Sequence, residues 1–339
     1  MEEHYLQIKP DEEHYLQIKP EKAHGAFPKK FDPWVDPDWV AEPKIDGERI
    51  LEHFGRGLPR VHMTSKGISK ITGRYGEKAE NVPALWVPEE HRVKLDYTVL
   101  DMEIVHAVNT HSVLGSGPEK ALAYQEKHGP AFQHIFDLLF LDGEDIRHKV
   151  LKIRRALLAQ LLNTLEIPNS VLVPQIVGGR REYYDAQVAS GGEGVVLKNL
   201  YGPYYNGRWI KVKTEIQISV IITGYTEGTN SNVGMVGSLC VSVFEGKELV
   251  EIGRAGGLSG KNRAMISADR QKFLGRVLDV KAQTLTKKTD SFLVGGRLRH
   301  PRVVTRKDKT LRFRDDVNLE ECTGSAVRRE FNVKEAVHG

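Results

Sequence analysis

Cysteine is almost missing from this chain: Cys240 and Cys322 are the only two among 339 residues. Two residues so far apart form neither a disulfide framework nor a Cys/His metal-ligand cluster. The fold must therefore rest on packed cores, and a reducing, cytoplasmic setting is expected. Long apolar runs are missing too. No stretch is long enough to cross a bilayer, and no signal-peptide pattern opens the chain, so no membrane association is expected. Net charge is small, +4 at neutral pH, but it is unevenly spread. From Arg254 to Arg314, 17 Lys/Arg stand against 4 Asp/Glu, whereas the tail from Asp315 onward is acidic, with 6 acidic to 3 basic residues. A basic C-terminal module beside a mildly acidic remainder suits a polyanionic partner, although a solvated basic face would look the same.

Hydrophobic residues at 40% and charged residues at 28% are ordinary for a globular protein. The length suffices for two domains. Glu2–Pro10 recurs unchanged at Glu12–Pro20. A perfect short repeat with no third copy is not a solenoid signal, and residues 1–20 are taken as a duplication from gene handling that lies outside the fold. Beyond the Pro/Trp-rich entry Phe31–Trp39, Val40–Ile45 and Arg49–Phe54 are expected as strands joined through an Asp46-Gly47 turn. Tyr97–Val105 and His134–Leu141 have the apolar density of buried strands, and Leu151–Leu165 has helical spacing with Pro168 beyond its end. Gly194–Lys198 and Arg208–Val212 are expected as strands. After Lys213 the pattern turns to short strands with glycine turns, at Ser219–Tyr225, Gly237–Phe244, Leu249–Arg254 and Val303–Arg306. That is the pattern of a small barrel, for which the oligonucleotide-binding (OB) fold is the candidate.

Six short clusters stand out. They are Lys44–Arg49 (Lys-Ile-Asp-Gly-Glu-Arg), Leu100–Glu103 (Leu-Asp-Met-Glu), Phe136–Gly143, Glu193–Lys198, Trp209–Lys213 (Trp-Ile-Lys-Val-Lys) and Arg306–Lys309 (Arg-Lys-Asp-Lys). Alone, each has an ordinary reading: Lys44 as an exposed lysine beside an Asp-Gly turn, Phe136 as a core residue, Glu193 as part of a Gly-rich turn, Glu42 as a surface glutamate. A short motif is confirmed only by its context. Together and in this order, from about Ile18 to about Arg314, the clusters resemble the ATP-dependent polynucleotide ligases, most closely the compact DNA ligases of phage type. A viral or phage origin would suit that resemblance.

The resemblance implies an α+β protein. Residues 21–213 would form a nucleotidyltransferase (adenylation) domain with an ATP-grasp-like ligase core, residues 214–325 an OB-fold domain, and residues 326–339 a tail. Lys44 would be the nucleophile that takes AMP from ATP as a phosphoramidate. Only a neutral amine attacks, and a free lysine has pKa about 10.4, so the site must depress it. Lys211 and Lys213, two apart on a strand and facing one side, would do so by like-charge repulsion while clamping the α-phosphate. By the same resemblance Asp46 lies near the reacting ends, Arg49 contacts nucleotide or nick phosphates, Glu42 reads the adenine amino group, Glu103 contacts the ribose and Phe136 stacks on the purine. Glu193, with Glu103, would hold Mg²⁺, for which Mn²⁺ could substitute. Lys198 would add a phosphate contact.

Arg306 and Lys309 would orient the leaving pyrophosphate, which requires the barrel to close onto the first domain and swing away again about a hinge near Thr214–Glu215. Lys66 and Arg74, with Arg299 and Arg302, would meet nucleic acid. Lys66 stands where the family usually has an arginine, giving charge without the bidentate fork, and Met102 occupies a position usually held by a small residue. The stretch before Lys44 is too short for a DNA-encircling domain, so DNA affinity is expected from the two core domains and should depend on salt. The implied partner is nicked duplex DNA, acted on by a monomer with no obligate protein partner. An RNA ligase, an RNA capping guanylyltransferase and a non-catalytic nucleic-acid binder are the alternatives. The last would be expected to lack Lys44, Glu193 or the Lys211/Lys213 pair, and all are present.

Overall fold

The computed structural model describes residues 18–25, 31–56, 58, 60–69, 72–207, 209–285, 297–314, 316, 322 and 328–332, with only the backbone for 284, 285 and 328–332. The first copy of the nonapeptide, and the second up to Gln17, lie outside these residues. The chain divides into two units between Lys211 and Val212, where the sequence pattern placed a boundary near Thr214. No helix among the described residues is long and apolar enough to cross a membrane.

The first unit contains strands β1 (Trp39–Pro43), β2 (Glu48–Phe54), β3 (His62–Ile68), β4 (Tyr75–Glu77), β5 (Thr98–Val105), β6 (Phe132–Leu141), β7 (Glu144–Asp145), β8 (Ser170–Leu172) and β9 (Gly194–Asn199). Its helices are α1 (Glu89–Arg92), α2 (Thr110–Leu114), α3 (Pro118–His128), α4 (Leu151–Leu165) and α5 (Arg180–Ala189). Seven strands form one sheet in the order β4-β3-β2-β5-β6-β7, with β8 added parallel to β6 and every other pairing antiparallel. β1 and β9 pair antiparallel and belong to a second sheet, which continues beyond β9. The central strands are apolar on both faces, because successive side chains point to opposite sides. Ile50 joins Met102, Ile104, Ile135 and the α4 residues Leu158, Leu161 and Leu165 in one buried cluster. The next residue, Leu51, joins Val99, Leu139, Phe140, Tyr204 and Trp209 in another. Met102 is fully buried in the first cluster, so its bulk fills core rather than site. Ile18 and Pro20, at the end of the second nonapeptide, are buried in this unit, Ile18 within the cluster of Tyr204 and Trp209.

The Asp46-Gly47 link is not the hairpin expected from its turn signal. β1 pairs with β9, whereas β2 pairs with β3 and β5. Gly47 answers a different need. A Cβ there would lie 2.3 Å from the Ile104 carbonyl oxygen and 2.8 Å from Glu103 Cγ, so only glycine lets the chain pass this close to β5.

In the second unit β10 (Ile210–Glu227), whose first two residues belong to the first unit, is one long strand where two shorter ones were expected. β-bulges, at Ile222/Gly224 and Tyr225/Glu227 relative to its partner, keep it coiling. It pairs with β11 (Val236–Glu245), which pairs with β12 (Glu248–Ala255). Helix α6 (Gly260–Ala268), N-capped by Ser259, leads on to β13 (Val277–Ala282), which also pairs with β10. A short two-stranded piece, β14 (Thr284–Leu285) with β15 (Leu298–Arg299), precedes β16 (Arg302–Val303), which pairs with β13. A parallel bridge between Gly256 and Arg302 joins the end of β12 to β16. The hydrogen-bonded path thus returns to its start, through β10, β11, β12, β16, β13 and β10. β17 (Arg328–Asn332) adds to the first turns of β10. The enclosed core includes Ile218, Val220, Leu239, Val241, Ile252, Ile266 and Val280.

Candidate active site

The β1–β9 ladder sets the centre of the site. Its register pairs Glu42 with Val196 and Pro43 with Val195, and the Lys44 amide continues it by donating to the Gly194 carbonyl at 2.9 Å. Lys44 therefore sits beside Glu193, and its ammonium donates to that carboxylate. One turn deeper on the same ladder, Lys198 Nζ lies 2.6 Å from Glu42 Oε2, with both side chains almost wholly buried. Gln175 donates to the other Glu42 oxygen at 2.8 Å. Burial lowers the pKa of Lys198 although Glu42 and Asp137 pull it upward.

The β2–β5 pairing supplies the second wall. Arg49 stands opposite Glu103 and Leu51 opposite Asp101, which brings Arg49 diagonally onto Asp101. Arg49 Nε donates to Asp101 Oδ1 at 2.8 Å, and Nη2 donates to Oδ2. Glu103 is mostly buried, and burial pushes its carboxyl up to about 7 against the opposing pull of Lys44, Arg49 and Lys66. Exposed Lys66 on β3 is thus electrically part of this wall.

Phe136 and Trp209 meet edge to face, with ring centroids 6.2 Å apart. The Arg49 guanidinium lies 5.2 Å from the Phe136 centroid and 5.3 Å from that of Trp209. Lys198 Nζ lies 4.5 Å and 4.0 Å from the same two rings. A purine stacking on Phe136 would share the ring with these cations. Lys211 is exposed at the end of the unit, its amide donating to the His24 carbonyl at 2.7 Å.

The structure thus brings together Glu42, Lys44, Arg49, Glu103, Phe136, Glu193 and Lys198, with Lys66 within electrostatic range. Asp46 is exposed in the link between β1 and β2. Arg74 is exposed in the β3–β4 turn, its carbonyl accepting from the Ser69 amide at 2.8 Å. Lys213, Arg299, Arg302, Arg306 and Lys309 belong to the second unit. There Glu215 accepts from Lys281 at 2.8 Å and from Arg302. Arg306 and Lys309 bracket a tight turn closed by the Arg306 amide on the Thr310 carbonyl at 2.8 Å, with Lys309 at φ 65°. Asp308 caps that turn by accepting from the Thr310 amide at 3.0 Å and its hydroxyl at 2.6 Å. Among the described residues no group of three or more His, Cys, Asp or Glu side chains is arranged to hold a metal ion unaided.

Sequence reasoning did not assign Asp101, Tyr204, Trp209 or Gln175 to the site. Asp101 and Trp209 lie inside motif clusters, and the period-two spacing of Asp101 and Glu103 could have placed both on one face. Tyr204 and Gln175 carry no such signal.

The ATP dependent DNA ligase domain family model matches residues 22–213, more than half of the chain. A DNA ligase of Methanocorpusculum labreanum is 26% identical over 326 residues, covering 87% of this chain and 55% of that protein. The SPbeta prophage-derived DNA ligase-like protein LigB of Bacillus subtilis is 28% identical over 209 residues, covering 58% of this chain and 68% of that one. The chain therefore spans about half the length of the archaeal relative. Among solved structures, one described as "DNA binding with a minimal scaffold: Structure-function analysis of Lig E DNA ligases" shares the fold at TM-score 0.57 and 20% identity, covering 88% of this chain and 98% of that one.

Proposed function

The chain belongs to the ATP-dependent DNA ligase domain family, and from that premise we propose that it seals 5′-phosphate/3′-hydroxyl nicks in duplex DNA through a covalent lysyl-AMP. The observation that carries this reading is Lys44 bonded to Glu193 in the unit that also gathers the Glu42–Lys198 pair, Glu103, Arg49 and the rings of Phe136 and Trp209. In the first step the Lys44 amine attacks the α-phosphorus of ATP; an N–P bond forms, the α,β P–O bond breaks and pyrophosphate leaves. In the second, a 5′-phosphate oxygen of the nick displaces Lys44 and takes the AMP. In the third, the 3′-hydroxyl attacks the phosphorus of the nick's own 5′-phosphate; the new phosphodiester P–O bond forms, the P–O bond from that phosphorus to AMP breaks, AMP leaves and the strand is closed. Each step is an in-line displacement in which positioning and charge neutralisation supply most of the acceleration.

The residues suit these roles. Glu42, fixed by Lys198 and Gln175, keeps lone pairs to accept from an adenine amino group, since a carboxylate has about four acceptor sites. Phe136 offers its face to the purine, Glu103 an acceptor to the ribose, and Arg49 a donor to the nucleotide. Glu193 and Glu103 are the carboxylates suited to Mg²⁺, and since no group of three or more such side chains among the described residues is arranged to hold a metal, the remaining ligands would be phosphate oxygens and water, the arrangement this small hard cation prefers. When bound there, the cation would offset the charge developing on the phosphates. Lys211, Lys213, Arg306 and Lys309 are the further cations for the triphosphate, and Lys66, Arg74, Arg299 and Arg302 those for the DNA backbone. For the second unit, the circular strand order with one parallel contact and a helix between its third and fourth strands supports an OB-fold. The basic run from Arg254 to Arg314 supports a nucleic-acid role for it.

The test is a label-transfer assay with α-phosphate-labelled ATP or GTP and Mg²⁺, chased with nicked duplex DNA. Label taken from ATP and discharged as the DNA nick is sealed is the expected result. Label from GTP alone would make the chain a capping enzyme, and discharge only by an RNA nick would make it an RNA ligase.

A further inference from the structure

Tyr204 has no part in the steps above, yet its buried hydroxyl sits where three segments of the first unit meet. It donates to Asp101 Oδ2 at 2.7 Å. It accepts from Arg49 Nη2 at 3.1 Å and from the Glu21 amide at 3.1 Å. Arg49 in turn gives Nε and Nη2 to the two Asp101 oxygens and Nη1 to the Glu21 carbonyl. A guanidinium has five N–H donors in a fixed fork. Four of them are spent within the protein, and among the described residues only one Nη1 hydrogen has no partner. Asp101 and Tyr204 are both fully buried.

An arginine that clamps a phosphate presents two parallel donors. Arg49 cannot do that without breaking this network. What it offers a ligand is one directed N–H and a flat cation held over Phe136 and Trp209. We propose that Tyr204 is a positioning residue: with Asp101 and the Glu21 backbone, its hydroxyl locks the Arg49 guanidinium in place before nucleotide arrives, so that Arg49 serves as a single oriented donor. The inference rests on the reading of Arg49 as a nucleotide contact. The segment that supplies Glu21 is part of the device. Its His24 amide donates to the Trp209 carbonyl at 2.8 Å, and the Lys211 amide donates back to the His24 carbonyl at 2.7 Å. Residues just after the duplicated nonapeptide thus hold Arg49 on one side and the Trp209–Lys211 strand on the other.

Burial, reinforced by the adjacent Asp101 charge, raises the Tyr204 pKa well above its usual value, so the hydroxyl keeps its proton at working pH. Packing alone would not require that oxygen. The Tyr204 ring meets Trp209 edge-on at 5.6 Å and Tyr205 at 5.0 Å, contacts that phenylalanine would keep.

The experiment compares wild type, Tyr204→Phe, Arg49→Lys and the double variant, each as the full chain. Binding of α,β-methylene-ATP, which cannot transfer AMP, is measured by calorimetry, alongside melting temperature and the kinetics of self-adenylylation. Tyr204→Phe is expected to weaken the analogue about ten-fold, as for loss of a hydrogen bond to a charged group. KM for ATP should rise while kcat stays within about three-fold. In the Arg49→Lys background the fork is already gone, so Tyr204→Phe should cost less than about two-fold more. Binding by Tyr204→Phe within about two-fold of wild type, or losses that multiply in the double variant, would overturn the proposal. A wild-type protein that fails to bind the analogue at all would overturn the reading of the site itself.

Discussion

Lys44 and Glu193 stand 149 residues apart in the chain, yet the lysine ammonium bonds directly to the glutamate carboxylate. The two proposed roles compete for this contact, because the amine must be released to attack phosphorus and the carboxylate must be released to meet a cation. Were Glu193 to hold a divalent cation, Lys44 would be freed as well. Glu193→Gln is expected to slow self-adenylylation by about 100-fold and to raise the Mg²⁺ needed for half-maximal labelling, the scale seen when a metal site is disturbed. A Mg²⁺ titration of label incorporation reads both. A wild-type rate and Mg²⁺ dependence in the variant would remove Glu193 from the metal role.

Glu42 and Lys198 form a second pair on the same ladder, nearly sealed from water. Breaking a buried pair by removing one partner strands a charge and costs about 3–5 kcal/mol, whereas replacing both can be nearly neutral. Lys198→Met should therefore lower the melting temperature by many degrees, and adding Glu42→Leu should restore most of it. If Glu42 also reads adenine, the restored protein will still bind ATP poorly. Recovery of stability together with recovery of ATP affinity would make the pair purely structural.

How much of this was legible in advance depended on the range of the interaction. Leu151–Leu165 formed as a helix with its expected bounds, because the helical spacing of its leucines is a local signal. The nucleotide-site residues were named through their motif clusters, and the structure brings seven of them together in the first unit. The Asp46-Gly47 link was misjudged because an Asp-Gly pair carries the same local signal whether its glycine makes a hairpin or makes room. Only the Ile104 carbonyl, far along the chain, distinguishes the two cases. Tyr204 was invisible for a related reason. Nothing in its neighbourhood marks a hydroxyl that will meet Glu21, Arg49 and Asp101; the β2–β5 register brings the last two together, and the bridge from His24 to Ile210 holds the Glu21 segment nearby.

Gly47 gives a direct test of that close approach. An added methyl would lie 2.3 Å from the Ile104 oxygen, far inside contact distance, and backbone on both sides must yield. Gly47→Ala should cost about 1–3 kcal/mol, the usual scale of overpacking, and displace Lys44 enough to reduce labelling sharply. Thermal melting with the label assay checks both. A variant with unchanged melting and full labelling would mean that the link has room to move.

Glu52 provides the pH test, because it is a fully buried carboxyl with no role in the proposed chemistry. It lies fully buried on β2, with Oε1 accepting from the Val87 amide at 3.2 Å and no partner for Oε2 among the described residues. Burial pushes its pKa up to about 8, against the smaller downward pull of that amide. Below about pH 4.5 the carboxyl is protonated in both folded and unfolded chains and contributes nothing to pH dependence. Between about 4.5 and 8 the unfolded chain has lost the proton and the folded chain still holds it, so stability falls as pH rises, by a total on the order of 4 kcal/mol. Above 8 the full penalty remains. Buried His53, hydrogen-bonded to Tyr97 and Thr64, has its pKa lowered by burial to about 3. It acts in the opposite sense, adding stability as pH climbs from about 3 to 6.5, and so masks part of the Glu52 slope in the wild-type curve. The difference between wild type and Glu52→Gln cancels the histidine. Glutamine keeps the Val87 contact and places an unpartnered amide where Oε2 was, a cost that does not change with pH. The melting temperature of Glu52→Gln relative to wild type should therefore climb steadily from pH 5 to 8 and then level off. A difference that stays flat across that window would mean that Glu52 is ionised in the folded protein, with a counter-charge or water that the present packing does not provide.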